Sequence, residues 1–217
     1  MTASGVEIGP HETRPVVLVT VGTTHHVFDR LMDWLESWLA GHPGQVRMIV
    51  QHGTSRLPKG AEGFAMCSHD EIVSLTERSD VVITQGGPGG IMDSRYCGIM
   101  PIVVPRRPQL NEVVDDHQVL FCRQLAGAGM IRLASSEAEL HAALDVALRD
   151  PAALRIQAGS EHVAAAVERT GMLIEDLVRP RSARPRRRVA RRSRRFEVFA
   201  GVSDSRGQAG RGRERHA

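Results

Sequence analysis

This sequence lacks most of the signatures that announce a specialised chemistry. Its three cysteines, Cys67, Cys97 and Cys122, are widely spaced and form no CxxC pair. An odd, unpaired set excludes a disulfide framework, fits a reducing compartment and reads as ordinary buried thiols. No apolar run approaches the roughly 18 residues of a membrane span, and the opening MTASGVEIGPHETRP has no apolar core of the length a secretion signal requires. The expected location is therefore the cytoplasm, peripheral to membranes at most. Of the ten histidines, His25 and His26 are adjacent while His52, His69 and His117 fall in separate turns. Nothing resembles HExxH, so no metal site is expected. The position of a nicotinamide fingerprint, after the first strand, reads Gly22-Thr23-Thr24-His25-His26 rather than GxGxxG, and no GxxxxGK[ST] occurs. Aromatic residues make up 4% of the chain.

What is present begins with an uneven distribution of charge. Residues 179–217 carry 14 arginines against 3 acids, leaving 14 basic against 22 acidic groups in the remainder, so a basic tail follows an acidic body. Self-repulsion and scarce apolar residues predict a disordered Arg-rich tail over 179–217. Only Phe196 and Phe199 offer stacking there, so the interleaved aromatics of a single-strand binder are missing and nucleic acid is not an expected partner. Residues 1–14 read as a flexible leader, and 15–178 as one well-buried domain, in keeping with domains of about 100 to 200 residues.

Within that domain strands and helices alternate. Val16 to Val21 is a continuous β-branched run of the kind buried on both faces of a parallel sheet. Gly22-Thr23-Thr24 ends it, and Leu31, Trp34, Leu35, Trp38 and Leu39 then recur at helical spacing between Val27 and Ala40. The two tryptophans read as core or as a partner-binding stripe, core being the default. Strands follow at Val46–Gln51 and Gly63–Met66. A capping box of Ser68 with Glu71 opens a helix, and a second, Ser136 with Glu139, opens another. Asp150-Pro151 reads as a cap followed by proline in the first turn.

The most informative stretch is 80–118. An apolar strand at Val81–Ile83 stops at Gly86-Gly87-Pro88-Gly89-Gly90, where a helix begins. A further strand then leads through Pro105-Arg106-Arg107 to a polar loop ending at Gln118. Bare backbone N–H groups where a helix starts at a buried strand end suit a phosphate. Arg106 and Arg107 either balance the charge of a diphosphate or are ordinary solvated arginines. The predicted fold class is α/β, a Rossmann-like doubly wound, mostly parallel sheet, with glycine-bearing strand ends at Gly22, Gly53 and Gly86 converging on its carboxyl edge.

These blocks in order resemble the C-terminal, donor-binding half of a GT-B glycosyltransferase, the glycosyltransferase family 28 C-terminal domain. The residues that carry the resemblance are Val19 to Thr24 with Phe28-Asp29-Arg30-Leu31, Gln51-His52-Gly53-Thr54, Asp80 to Thr84 with Gly86-Gly87-Pro88-Gly89, Pro101 to Arg107, and Asp115-Asp116-His117-Gln118. They span about residues 15–175. More narrowly, the chain is similar to the catalytic subunit of split N-acetylglucosaminyl-type transferases of the dolichol pathway and of bacterial exopolysaccharide assembly.

The resemblance implies a nucleoside diphosphate sugar as substrate, with no cofactor or bound metal. Gly86, Gly87 and Gly89 would take the donor diphosphate on their amides, Gly22 and Thr23 would close its other side, and Asp93 would hold the ribose. Gln118, with Asp116 and His117 before it, would face the sugar or the diphosphate. Transfer would be inverting, to a polyprenyl-diphosphate-linked acceptor. A membrane-anchored acceptor-binding subunit would supply the general base and recruit this chain to the inner face of the membrane, with His117 the fallback base in this chain. Against the expected family pattern Gln85 replaces His, Gly90 replaces Thr or Ser, Asp93 replaces Glu and Val113 replaces His. These departures leave a non-catalytic nucleotide-sugar-binding or scaffold paralogue as the alternative.

Overall fold

The computed structural model describes residues 12–157. Most of the expected leader, the end of the expected domain and the whole Arg-rich tail lie outside the described residues. The chain divides into two units, Met1–Thr170 and Gly171–Ala217, and all described residues belong to the first.

Six strands, β1 (Val16–Thr20), β2 (Arg47–Gln51), β3 (Glu62–Phe64), β4 (Val81–Gln85), β5 (Ile102–Val104) and β6 (Arg132–Leu133), form one sheet in the order β3-β2-β1-β4-β5-β6. Every neighbouring pair is parallel. Helices α1 (Asp29–Gly41), α2 (His69–Glu77), α3 (Pro88–Tyr96), α4 (His117–Gly127) and α5 (Glu137–Arg149) cover both faces.

The apolar runs follow from that covering. Val17, Val19, Met48, Val50, Ile83 and Val104 point to one face and pack against Leu31, Leu35 and Trp38 of α1 and Leu140 and Leu144 of α5. The residues between them, including Val16, Leu18, Ile49 and Val82, point to the other face and meet Phe64 of β3 and Leu75 of α2. Beside them Val103 packs with Ile91 of α3 and Cys122 of α4. Both faces are dry, so the usual alternation of apolar and polar residues disappears. Each fully buried aliphatic side chain contributes on the order of 1.5–3 kcal/mol.

The caps behave according to their chemistry. Ser68 Oγ accepts the Glu71 N–H at 3.3 Å while the Glu71 carboxylate accepts the Ser68 N–H at 2.8 Å, a complete box. At α5 the box is displaced by one residue. Ser136 Oγ accepts the Glu139 N–H at 3.3 Å, but the Glu139 carboxylate accepts from Ser135 N at 2.6 Å. The two tryptophans of α1 are packing residues, Trp38 buried with its indole N–H donating to Asp145 at 2.8 Å and Trp34 packed against the core.

The polar loop after β5 ends earlier than its sequence suggested. A 3-10 turn at Pro108–Leu110 is followed by α4, which starts at His117. His117 and Gln118 therefore sit in a helical first turn.

Candidate functional site

The strand order reverses between β1 and β4, and both strands end in a glycine turn there. At the end of β1, Gly22 has φ +76, a left-handed conformation that a side chain would strain. At the end of β4, Gly87 is the N-cap of α3 and Pro88 its first residue, with no side chain capping the helix. Proline lacks an N–H, so the first-turn donors left without intrahelical partners are those of Gly89 and Gly90, backed by the positive end of the helix dipole.

The carboxamide of Gln85 lies between the two turns. A Cβ at Gly87 would fall 2.3 Å from its Nε2, and one at Gly22 would fall 3.3 Å from it. Gln85 Oε1 is buried without a hydrogen-bond partner, which is uncommon for an interior polar atom. Beneath the α3 turn, Thr20 Oγ1 donates to Thr84 Oγ1 at 3.1 Å, and both threonines are buried. A Cβ at Gly90 would meet Thr84 Oγ1 at 2.5 Å. Glycine at position 90 thus accompanies a hydroxyl that already fills the space under the turn.

The far wall is the α4 end of the 106–118 segment. Gly86 is buried, and a Cβ there would sit 2.8 Å from Cys122 Sγ and 3.1 Å from Gln118 Oε1, so Gln118 lies directly against the glycine turn. Its Oε1 also accepts the Arg106 N–H at 3.3 Å. Asp116 is the exposed N-cap residue of α4, without a side-chain capping bond. His117 is exposed and pairs with Asp115, Nδ1 to Oδ1, at 2.8 Å. That carboxylate raises the His117 pKa above its ordinary value, with Asp116 adding to the effect. Asp93 points from α3 toward α2, its Oδ2 3.7 Å from His69 Nδ1, in a groove also lined by Val73, Glu77 and Tyr96.

Two expected contacts need correction. Arg106 was a candidate for the diphosphate's charge, yet it is 1% exposed. Its Nη1 donates to the carbonyls of His26 (2.9 Å), Val27 (3.3 Å) and Glu112 (3.0 Å), and its Nη2 to Val21 at 2.9 Å. The guanidinium lies over the Phe28 ring, 4.6 Å from its centre. Burial pulls its pKa down to about 10 against the supporting charge of Glu112. Arg107 is half-buried and its guanidinium donates to the Ser135 carbonyl. Arg106 is therefore not available to a ligand, and one nitrogen of Arg107 is already committed. Two of these carbonyls, those of Val21 and Glu112, accept in buried bonds, and leaving such a group unpaired costs about 1–3 kcal/mol each, which holds Arg106 to the backbone.

The expected role of Gly22 also changes, since its N–H is committed to Gln51 Oε1 at 3.1 Å. On that side the Thr23 N–H has no partner among the described residues, and Thr23 is exposed. Nearby, Glu112 is buried and accepts from Arg30 Nε and Nη2, each at 2.8 Å, and from Arg107 N at 2.8 Å. This bidentate pair ties α1 to the loop after β5. Gln51, Thr84 and Glu112 carried no assigned role in the sequence. For Gln51 the one available signal was a polar residue closing an otherwise apolar strand. Among the described residues no group of three or more His, Cys, Asp or Glu side chains is placed to hold a metal ion.

A parallel sheet in this order, with two glycine turns and an uncapped helix start at the reversal, defines a doubly wound α/β domain, a class of fold that binds ligands at such a switch point. The chain belongs to the glycosyltransferase family 28 C-terminal domain family, whose model matches residues 16–169. Among solved structures it is similar to the glycotransferase of kitacinnamycin, with a TM-score of 0.53 and 21% identity over 80% of this chain and 45% of that one. It is also similar to MurG of Acinetobacter baumannii, with a TM-score of 0.47 and 16% identity over 66% of this chain and 44% of that one. A third likeness is to ALG13 in solution, with a TM-score of 0.47 and 18% identity over 72% of this chain and 94% of that one. The first of these likenesses shows the fold alone. The chain spans about 45% of the first of these structures. Comparison with curated proteins returned no match. Among the described residues no helix is long and apolar enough to cross a membrane.

Proposed function

We propose that this chain is the donor-binding catalytic subunit of an inverting glycosyltransferase. It moves a sugar from a nucleoside diphosphate sugar, a UDP-sugar, to a polyprenyl-diphosphate-linked acceptor in polysaccharide assembly. The observation that carries the reading is the family match over residues 16–169 together with the uncapped start of α3 at the switch point. The Gly86, Gly87 and Gly89 amides, joined by that of Gly90, and the helix dipole hold the diphosphate and stabilise its charge as it departs. The Thr23 backbone closes the opposite side, Asp93 takes the ribose, and Gln118 with Asp116 faces the sugar.

The general base is assigned to a membrane-anchored, acceptor-binding partner that also brings this chain to the inner face of the membrane. His117 is the fallback base in this chain: Asp115 holds Nδ1, which leaves Nε2 of the neutral ring to accept a proton. Coexpression with such a partner and a transfer assay with UDP-sugars test the reading, alongside calorimetry of the same sugars. Transfer that disappears in Gly87→Trp is expected; no UDP-sugar binding, with or without the partner, would overturn it. A non-catalytic nucleotide-sugar-binding or scaffold paralogue is the second reading, favoured by Gln85, which fills the gap between the turns with its Oε1 unpaired. UDP-sugar binding without turnover in the assembled complex would select it.

A further inference from the structure

Gln51 is the last residue of β2 and is 4% exposed. A carboxamide has two accepting lone pairs and two donating N–H groups, and all four of Gln51's are used around one turn. Oε1 accepts from Val21 N at 3.2 Å and Gly22 N at 3.1 Å, while Nε2 donates to Gly22 O at 3.0 Å and Ala65 O at 2.8 Å. The reverse orientation of the amide would set oxygen against two carbonyls and nitrogen against two N–H groups, so the chemistry admits only this one.

The sheet does not depend on these bonds. Beyond β2 the backbone pairing with β3 continues through His52 N to Phe64 O at 3.0 Å and Gly53 N to Ala65 O at 3.1 Å, and Val21 N also donates to Gln51 O at 3.2 Å. What depends on the side chain alone is Gly22, whose N–H and C=O have no other partner among the described residues. Gly22 also carries the left-handed φ of +76, so its peptides swing readily if released. The residue held out by this clamp is Thr23, exposed and with its N–H unbonded within the described chain.

We infer that Gln51 is a positioning residue for the donor's diphosphate: it clamps Gly22 from both sides and thereby aims the Thr23 N–H at the phosphates held by α3. The inference rests on the nucleotide-sugar reading above. Gly22 contributes geometry and Thr23 the contact, which explains why an amide-bearing glycine at a phosphate crevice has its own N–H already spent.

The test is amide-resolved NMR of the full chain titrated with UDP, with uridine as the phosphate-free control. In the wild type the Thr23 amide shifts on saturation with UDP while the Gly22 amide stays in place. In Gln51→Leu, close in volume, UDP affinity falls about tenfold or more, uridine affinity changes less than twofold, and the Thr23 response is lost. Gln51→Glu serves if the leucine variant does not fold, because its second oxygen faces the Gly22 carbonyl and releases the turn from that side; the same selective loss of UDP is expected. A folded variant that binds UDP within twofold of wild type, or a wild type that binds UDP with a silent Thr23 amide, overturns the inference and leaves the donor reading standing. A wild type that binds no UDP, alone or with a partner, removes the donor reading and this inference with it.

Discussion

Replacing Arg106 separates two roles that a sequence motif cannot distinguish. In Arg106→Met the aliphatic volume is largely kept, while four charge-assisted donations to Val21, His26, Val27 and Glu112 are lost. Each such bond is worth about 1.5–3 kcal/mol at most, and the cost of keeping a guanidinium out of water offsets part of the sum. That cost is visible in the pKa, drawn down to about 10 by burial. The balance for removing one member of a buried charged network is about 3–5 kcal/mol, and Glu112 with Arg30 remains behind as a less well supported pair. At roughly 2–4 °C per kcal/mol for a chain of this size, the thermal midpoint falls by roughly 6–20 °C. Circular dichroism on heating and urea titration followed by fluorescence of the core Trp38 measure it. Arg106→Lys is expected to lose nearly as much, because one ammonium cannot span carbonyls reached by two separate nitrogens. An unchanged midpoint with selective loss of UDP affinity would refute the placement of Arg106 and return it to the diphosphate.

Gly90→Thr, which restores the residue expected of the family, puts a Cβ 2.5 Å from Thr84 Oγ1 and is expected to destabilise by about 1–3 kcal/mol. Thr84→Ala relieves that contact, so a double-mutant cycle in urea should be strongly non-additive, and additive values would contradict the packing described. The His117 imidazole should titrate above its ordinary 6.5 and return toward it in Asp115→Asn, followed by NMR. The sign for stability follows from the two directions. Asp115 is depressed below 3.8 and His117 raised above 6.5, so their pairing is fully present between those values. It is lost as pH rises through the raised histidine pKa, and again as pH falls through the depressed carboxylate pKa.

The fold was legible because its signals are local and repeated. Val16 to Val19 and Val81 to Ile83 are too uniformly apolar to be half-buried, and the Ser68 box and the Gly86–Gly90 turn mark where helices start. Boundaries were less so. Pro108 to Asp116 carries too few apolar residues to show where α4 begins, and the last strand is held by pairing to β5, a contact outside its own sequence. For the site, the glycines were readable because a strand end that turns directly into a helix demands them. The destinations of long polar side chains were not. Arg106, Gln51 and Glu112 each reach partners far along the chain, and no local pattern states which carbonyl or N–H will be there.

The amino-acid sequence by itself therefore determined the parallel sheet and the glycine turns at its strand ends, consequences of backbone preference and of which strands are buried on both faces, and its ordered blocks carried the family; the strand order came from the tertiary structure. Only the tertiary structure decided what the polar residues at that edge do. It turned Arg106 inward to four carbonyls, gave Gly22 to Gln51, and left the Gly89, Gly90 and Thr23 backbone open. The physical reason is that a buried hydrogen-bonding group takes whichever partner the fold brings within about 3 Å, and that proximity exists only once the loops from β1, β2, β4 and β5 have met.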